Sequence, residues 1–222
     1  MQTNLTALLR LQQFADSALP IGGAAHSFGL ESLIDAGLLN EDGIEAFFVD
    51  YLDDAGVLEA AYCAASCELT SLDQWSALNV ELGARKLARE SREASASMGR
   101  RFLELAARVS GLPLLVSACG LEAQVHLAPC FGLVAAAMGL EPEPATAAYL
   151  QQSMTTLVSC CQRLLPLGQT RAHQILWNLK PAIVCTARRA ALTAPGRLGC
   201  FTALLDIASA RHPTLSTRLF IS

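Results

Sequence analysis

The chain has 222 residues, 23.6 kDa and a formal net charge of −4, with 52% hydrophobic and 16% charged residues and a mean hydropathy of +0.36. A polypeptide this long and this apolar buries a core without disulfide or metal staples, which excludes intrinsic disorder. Leu (38) and Ala (37) far outnumber the β-branched Ile (7) and Val (9), so an all-α fold is predicted, one domain over residues 1–222 built as a bundle of roughly eight to ten helices with a C-terminal tail.

Leu5, Leu8, Leu9 and Leu11 lead to Phe14 as an apolar stripe and predict a first helix over Leu5 to Ala15. Pro20, Gly22 and Gly23 then demand a tight turn. A second helix is predicted from Ala24 to Ala36, stopped by Gly37, and Asn40 is placed to cap a third that continues through Phe47, Phe48, Tyr51, Leu52, Ala55, Leu58 and Tyr62. Ser71 with Gln74 resembles a capping box, ahead of a helix that turns Trp75, Leu78 and Leu82 inward. In the charged run that follows, Lys86 with Glu90 and Arg89 with Glu93 stand at i, i+4 and predict a solvated helix face. Met98, Phe102, Leu105 and Val109 carry the next helix to a break at Gly111 and Pro113. Glu141 to Pro144 reads as a stiff connector into a helix ending near Leu164. Pro166, Leu167, Gly168, Gln169 and Thr170 interrupt the helical pattern, with Gly168 reversing the backbone and Gln169 or Thr170 capping the next helix, which Pro181 kinks. Thr193 to Gly199 is a loop, Phe201 to Ala210 a final helix, and Arg211 to Ser222 an extended tail.

Val109 to Leu140 contains only one charge, Glu122, but its glycines, prolines, Gln124 and His126 argue for buried helices over a membrane span. The first sixteen residues lack the basic and apolar regions of a signal peptide, so a cytoplasmic location is expected. Eight cysteines, Cys63, Cys67, Cys119, Cys130, Cys160, Cys161, Cys185 and Cys200, are spread through helical sequence and read as reduced, mostly core thiols. A second reading pairs Cys63 with Cys67 and His126 with Cys130, each at i, i+4, as ligands of a nickel or zinc carrier. Charge is split along the chain: residues 1–84 stand at −12 and residues 85–222 at +8. That split suits self-association or two partners of opposite sign. Nucleic acid is not expected, since the basic half has few aromatics and no binding motif.

The run containing Pro20, Gly22, Gly23, His26, Ser27, Gly29, Leu30 and Glu31 is, by itself, a turn packed at a helix start, because no carboxylate orients the histidine and no strand precedes the glycines. Together with three other blocks it resembles the urease accessory protein UreF family. Those blocks are Arg89, Glu90, Arg92, Glu93, Met98, Gly99 and Arg100; Arg163 to Gln169 around Pro166 and Gly168; and Ala208 to His212 with Arg218, Leu219, Phe220 and Ser222. They occur in family order, although Pro213 stands where the family often has an acidic residue.

The resemblance implies an all-helical, dimerising, non-catalytic scaffold. It would bridge a UreD/UreH-type accessory protein and the GTPase UreG during nickel delivery to apo-urease. Nickel and GTP would be handled by the complex, with no cofactor held by this chain. It further implies that Arg163 contacts the UreG-like partner, with Arg171 supporting the Pro166, Gly168 and Gln169 corner. Arg211, His212, Arg218, Leu219 and Phe220 combine cations with an apolar plug on a short segment, a composition suited to docking a UreD-like partner and ordering as it binds.

Overall fold

The computed structural model describes residues 4–199 and 202–222. These form twelve α-helices joined by short turns, with no strand among the described residues. The helices are α1 (Leu5–Phe14), α2 (Leu30–Asp35), α3 (Ile44–Tyr51), α4 (Val57–Cys67), α5 (Leu72–Arg85) and α6 (Arg89–Ser110). They continue with α7 (Pro113–Cys119), α8 (Leu127–Ala137), α9 (Pro142–Leu164), α10 (Gln169–Asn178), α11 (Lys180–Ala191) and α12 (Ala203–Arg211). The all-α expectation holds.

Helix α4 lies at the centre, against α8, α9 and α11, while α6 covers the other side of α8. Two glycines set these distances. A Cβ on Gly132 of α8 would overlap the Cys63 carbonyl oxygen of α4, and one on Gly99 of α6 would overlap the Val125 carbonyl oxygen ahead of α8. Absence of a side chain therefore lets backbone pack on backbone. Phe102 of α6 anchors the core, edge-on to Phe14 at 5.8 Å and stacked on Phe131 at 5.5 Å, and Phe131 in turn meets Tyr149 of α9 at 5.7 Å. One hydrophobic cluster runs from Leu11 to Phe220. Such aromatic pairs are worth about 0.5–1.5 kcal/mol each beyond the area they bury.

Several local expectations are corrected. In α1 the buried face is Ala7, Leu11 and Phe14, while Leu5, Leu8 and Leu9 are exposed. The segment after Gly23 makes one 3₁₀ turn and then an extended corner, so α2 begins at Leu30 rather than Ala24. Asn40 accepts from the Gly43 amide at 3.1 Å, closing a turn before α3 instead of capping it. The third helical segment does continue through Gly56: a π turn over Leu52–Gly56 carries it into α4, and the Leu52 and Asp53 carbonyls accept from Thr186 and Arg189 of α11. Ser71 caps α5 as expected, but Gln74 reaches Thr70. Leu78 and Leu105 are half-buried and Val109 is exposed. Pro129 and Pro144 sit in the first turns of α8 and α9, where a missing N–H costs nothing, so Glu141 to Pro144 is a helix start and not a connector. Pro181 likewise stands in the first turn of α11, so α10 and α11 are separate helices. Gly168 has an ordinary φ of −67° and is itself the cap of α10, without a side-chain bond from Gln169 or Thr170. The corner turns instead at Pro166, across which the Leu167 amide bonds the Leu165 carbonyl at 2.7 Å. Cys200 and Phe201 lie outside the described residues.

Part of the charge split is spent within the molecule. Arg171 meets Glu45 at 3.5 Å, Arg188 meets Glu143 at 2.9 Å, and Arg189 meets Asp53 at 3.4 Å, so basic α10 and α11 face acidic groups of α3, the π turn and α9. Among the described residues no helix is long and apolar enough to cross a membrane.

Candidate functional site: the seat of the C-terminal tail

The turn at residues 20–29 is shaped by left-handed backbone at Gly22 (φ 89°), Phe28 (φ 52°) and Gly29 (φ 91°). Gly29 has two reasons to lack a side chain, its φ and the approach of α12: a Cβ there would stand 3.0 Å from the Leu205 carbonyl and 3.2 Å from the Ser209 amide. The corner aims Glu31, in the first turn of α2, into the interior, where a carboxylate also suits the positive end of the helix. Pro20 stays on the surface, Gly23 is buried, and Ser27 is wholly buried with no partner for its hydroxyl among the described residues.

Glu31 is the organiser. Its Oε1 accepts the Leu219 amide at 2.6 Å, and its Oε2 accepts the Phe220 amide at 3.2 Å and the Nε2 of His212 at 2.8 Å. The other ring nitrogen of His212 lies 3.0 Å from Oε2 of Glu90 in α6. The imidazole has no solvent exposure. Beyond it, the Ile221 amide bonds the Ala25 carbonyl at 2.8 Å, the Ser27 amide bonds the Ser222 carbonyl at 2.5 Å, and His26 Nδ1 lies 2.7 Å from the Ser222 hydroxyl. Burial, reinforced by the Arg101 guanidinium, holds the His26 pKa below the ordinary histidine value. Arg163 covers the Phe220 ring with its guanidinium carbon 4.2 Å from the centroid and donates to the Ala24 carbonyl at 2.7 Å. Behind Glu31, burial pushes the Cys160 thiol up to about 12, and its Sγ donates to the His26 carbonyl at 3.3 Å.

The tail is thus seated on its own chain. Phe220 and His212 are buried, and Arg211, Arg218, Leu219 and Ile221 face outward. Glu31 supplies the acceptors that tail amides otherwise take from water. Of the corner block, only Arg163 joins this site. Pro166, Gly168 and Gln169 are exposed beside it in sequence, and Arg171 is paired with Glu45.

The charged run does more than solvate a helix. A helix break at Lys86 prevents the i, i+4 pair with Glu90 and turns the ammonium onto Glu59, which also accepts from Tyr149 at 2.7 Å. Burial raises the Glu59 pKa, but the nearby Lys86 charge and the Lys86 and Tyr149 hydrogen bonds outweigh it and leave the group lowered. A cavity of about 140 Å³ borders this set. Arg89 reaches Glu93 only at 3.9 Å. The contact of Glu90 with His212 has no local sequence signal, since it joins positions 122 apart. A buried histidine with two nitrogens to satisfy is the one signal that a carboxylate partner had to be found.

The residues of the metal-carrier reading have other surroundings in the fold. His126 turns Nδ1 to Ser95 at 3.2 Å, and Cys67 donates to the Cys63 and Gly132 carbonyls at 3.4 Å. Burial raises the pKa of Cys63 and Cys130 far above that of a free thiol, which disfavours the thiolate a metal needs. Among the described residues no three His, Cys, Asp or Glu side chains gather as a metal site. The seven described cysteines are free, and of these Cys185 is exposed.

Similarity to known proteins extends over nearly the whole chain. The UreF family model matches residues 38–180. A "Urease accessory protein UreF" of Bradyrhizobium diazoefficiens is 32% identical over 97% of this chain and 92% of its own length. Proteins of the same description from Paenarthrobacter aurescens and Rhodopseudomonas palustris are 33% and 35% identical, over 98% and 97% of this chain and 99% and 92% of theirs. The turn at 20–31 and the tail lie outside the residues matched by the family model. The chain belongs to the UreF family of urease accessory proteins.

Proposed function

We propose that the chain is a non-catalytic adaptor of urease maturation, bridging a UreD/UreH-type accessory protein and the GTPase UreG while nickel passes to apo-urease. Nickel is cargo and GTP the substrate of the partner. The reading includes a cytoplasmic homodimer that influences GTP hydrolysis by UreG. The observation that carries it is the outward face of the seated tail, where Arg211 and Arg218 flank the exposed Leu219 and Ile221. Cations around an apolar centre match a partner groove with carboxylates at its rim. Arg163 acts in this reading by holding the seat as well as by meeting the GTPase, because its guanidinium already engages Phe220 and Ala24.

Co-purification with the two accessory proteins tests the reading. Deleting 214–222 is a poor probe, since it also removes the buried Phe220. Leu219→Glu with Ile221→Glu changes only exposed side chains and is expected to abolish capture of the UreD-type protein while helicity is unchanged. Wild-type capture by a folded double variant would overturn the proposed docking face.

A further inference from the structure

We infer that the tail is closed by a proton-dependent clasp, with His212 locked between Glu31 and Glu90 when its ring carries both protons and released when it carries one. The consequence for partners rests on the adaptor reading; the clasp itself rests on geometry. Both ring nitrogens face carboxylate oxygens, at 2.8 Å and 3.0 Å, and ionised carboxylates only accept. A ring with one proton serves one of them and turns a lone pair on the other, and the ring itself has no solvent exposure. Glu31 cannot absorb the mismatch, since its two oxygens already take the Leu219 and Phe220 amides besides the ring.

The groups that face the ring come from α2, α6, α9 and α12. Glu31 faces it from α2 and Glu90 from α6. Cys160 of α9 is kept as a neutral thiol by burial, Arg163 of α9 is committed to Phe220 and Ala24, and Arg211 next to the ring points to solvent. Ser91 and Ser209, which join α6 to α12 at 2.8 Å, carry no charge. An open tail exposes an ordinary imidazole, which gives up its second proton near ~6.5. Opening therefore releases a proton, and rising pH favours it. Because Glu31 takes both the ring and the amides that fix Leu219 and Phe220, opening also dismantles the docking face.

The test is hydrogen exchange of the Leu219 and Phe220 amides in the full chain, relative to core amides of α4, from about pH 6 to about pH 9. Opening is expected to rise up to about tenfold per pH unit in wild type, the slope of one proton. Glu90→Gln offers its amide N–H to an unprotonated Nδ1, so this variant is expected to keep the tail closed and lose the pH dependence. Flat protection in wild type, or an unchanged slope in Glu90→Gln, would overturn the clasp. Should the variant loosen the tail at every pH, ¹⁵N shifts of the wild-type His212 ring decide: two N–H groups at about pH 7 support the clasp, and one in a closed tail refutes it. Capture of the UreD-type protein across the same range separates the two ideas. A tail that opens while capture stays constant leaves the clasp standing and removes the docking face; a tail that never opens removes the clasp whatever the partner does.

Discussion

Replacing Glu31 with Ala is the sharpest perturbation of the tail seat. The substitution strands the Leu219 and Phe220 amides and the His212 Nε2, all of which the carboxylate now receives. Its side chain is 7% exposed, so water does not readily take over. Removing one member of a buried charged network costs about 3–5 kcal/mol, and at this chain length each kcal/mol moves Tm by about 2–4 °C, which gives a fall of about 6–20 °C. Glu31→Gln retains an acceptor for one amide and is expected to lose about 1–3 kcal/mol. Urea unfolding followed by circular dichroism measures both. Since Glu31 and His212 act together, the double variant with His212→Ala should cost less than the two single changes summed, by about 0.5–3 kcal/mol. A loss under about 1 kcal/mol for Glu31→Ala, with the Leu219 and Phe220 amides as protected as before, would refute the claim that this carboxylate holds the tail.

Arg163→Ala removes a cation from the face of Phe220 and a donor from Ala24, about 1–2 kcal/mol in all, more than a free surface charge contributes; wild-type stability would show that the stack contributes nothing. Gly132→Ala drives a methyl group into the Cys63 carbonyl and is expected to cost at least about 1–3 kcal/mol in denaturant midpoint, because backbone has to move; a neutral effect would contradict the α4 and α8 approach. Burial and the nearby Lys86 push the His126 pKa down to about 4, so the folded chain refuses a proton that the unfolded chain accepts. Stability should then fall as pH is lowered from about 6.5 toward 4, and His126→Gln should flatten that decline in urea midpoints.

Helix content, the stops at Gly37 and Gly111, the Ser71 cap and the break at Pro166 were all legible in the residues themselves. Each depends on neighbours within three or four positions, the range over which a helix repeats and a cap reaches its amide. The structure departs from the local pattern at Ala24 and Gly168, where the packing of α12 against Gly29 and a corner carried by Pro166 override local preference.

Family membership was legible because four short blocks keep their order, and those blocks contain Glu31, Glu90, Arg163 and His212. Their meeting was not legible. The Glu31 to His212 and Glu90 to His212 contacts span 181 and 122 positions, and no periodicity joins positions so far apart. Local sequence chose Lys86 as the partner of Glu90 and solvent or a second protein as the surroundings of Phe220. The tertiary structure decided otherwise, because a buried imidazole and the amides of a tail must each find an acceptor, and folding α12 against both α2 and α6 put carboxylates where those donors are.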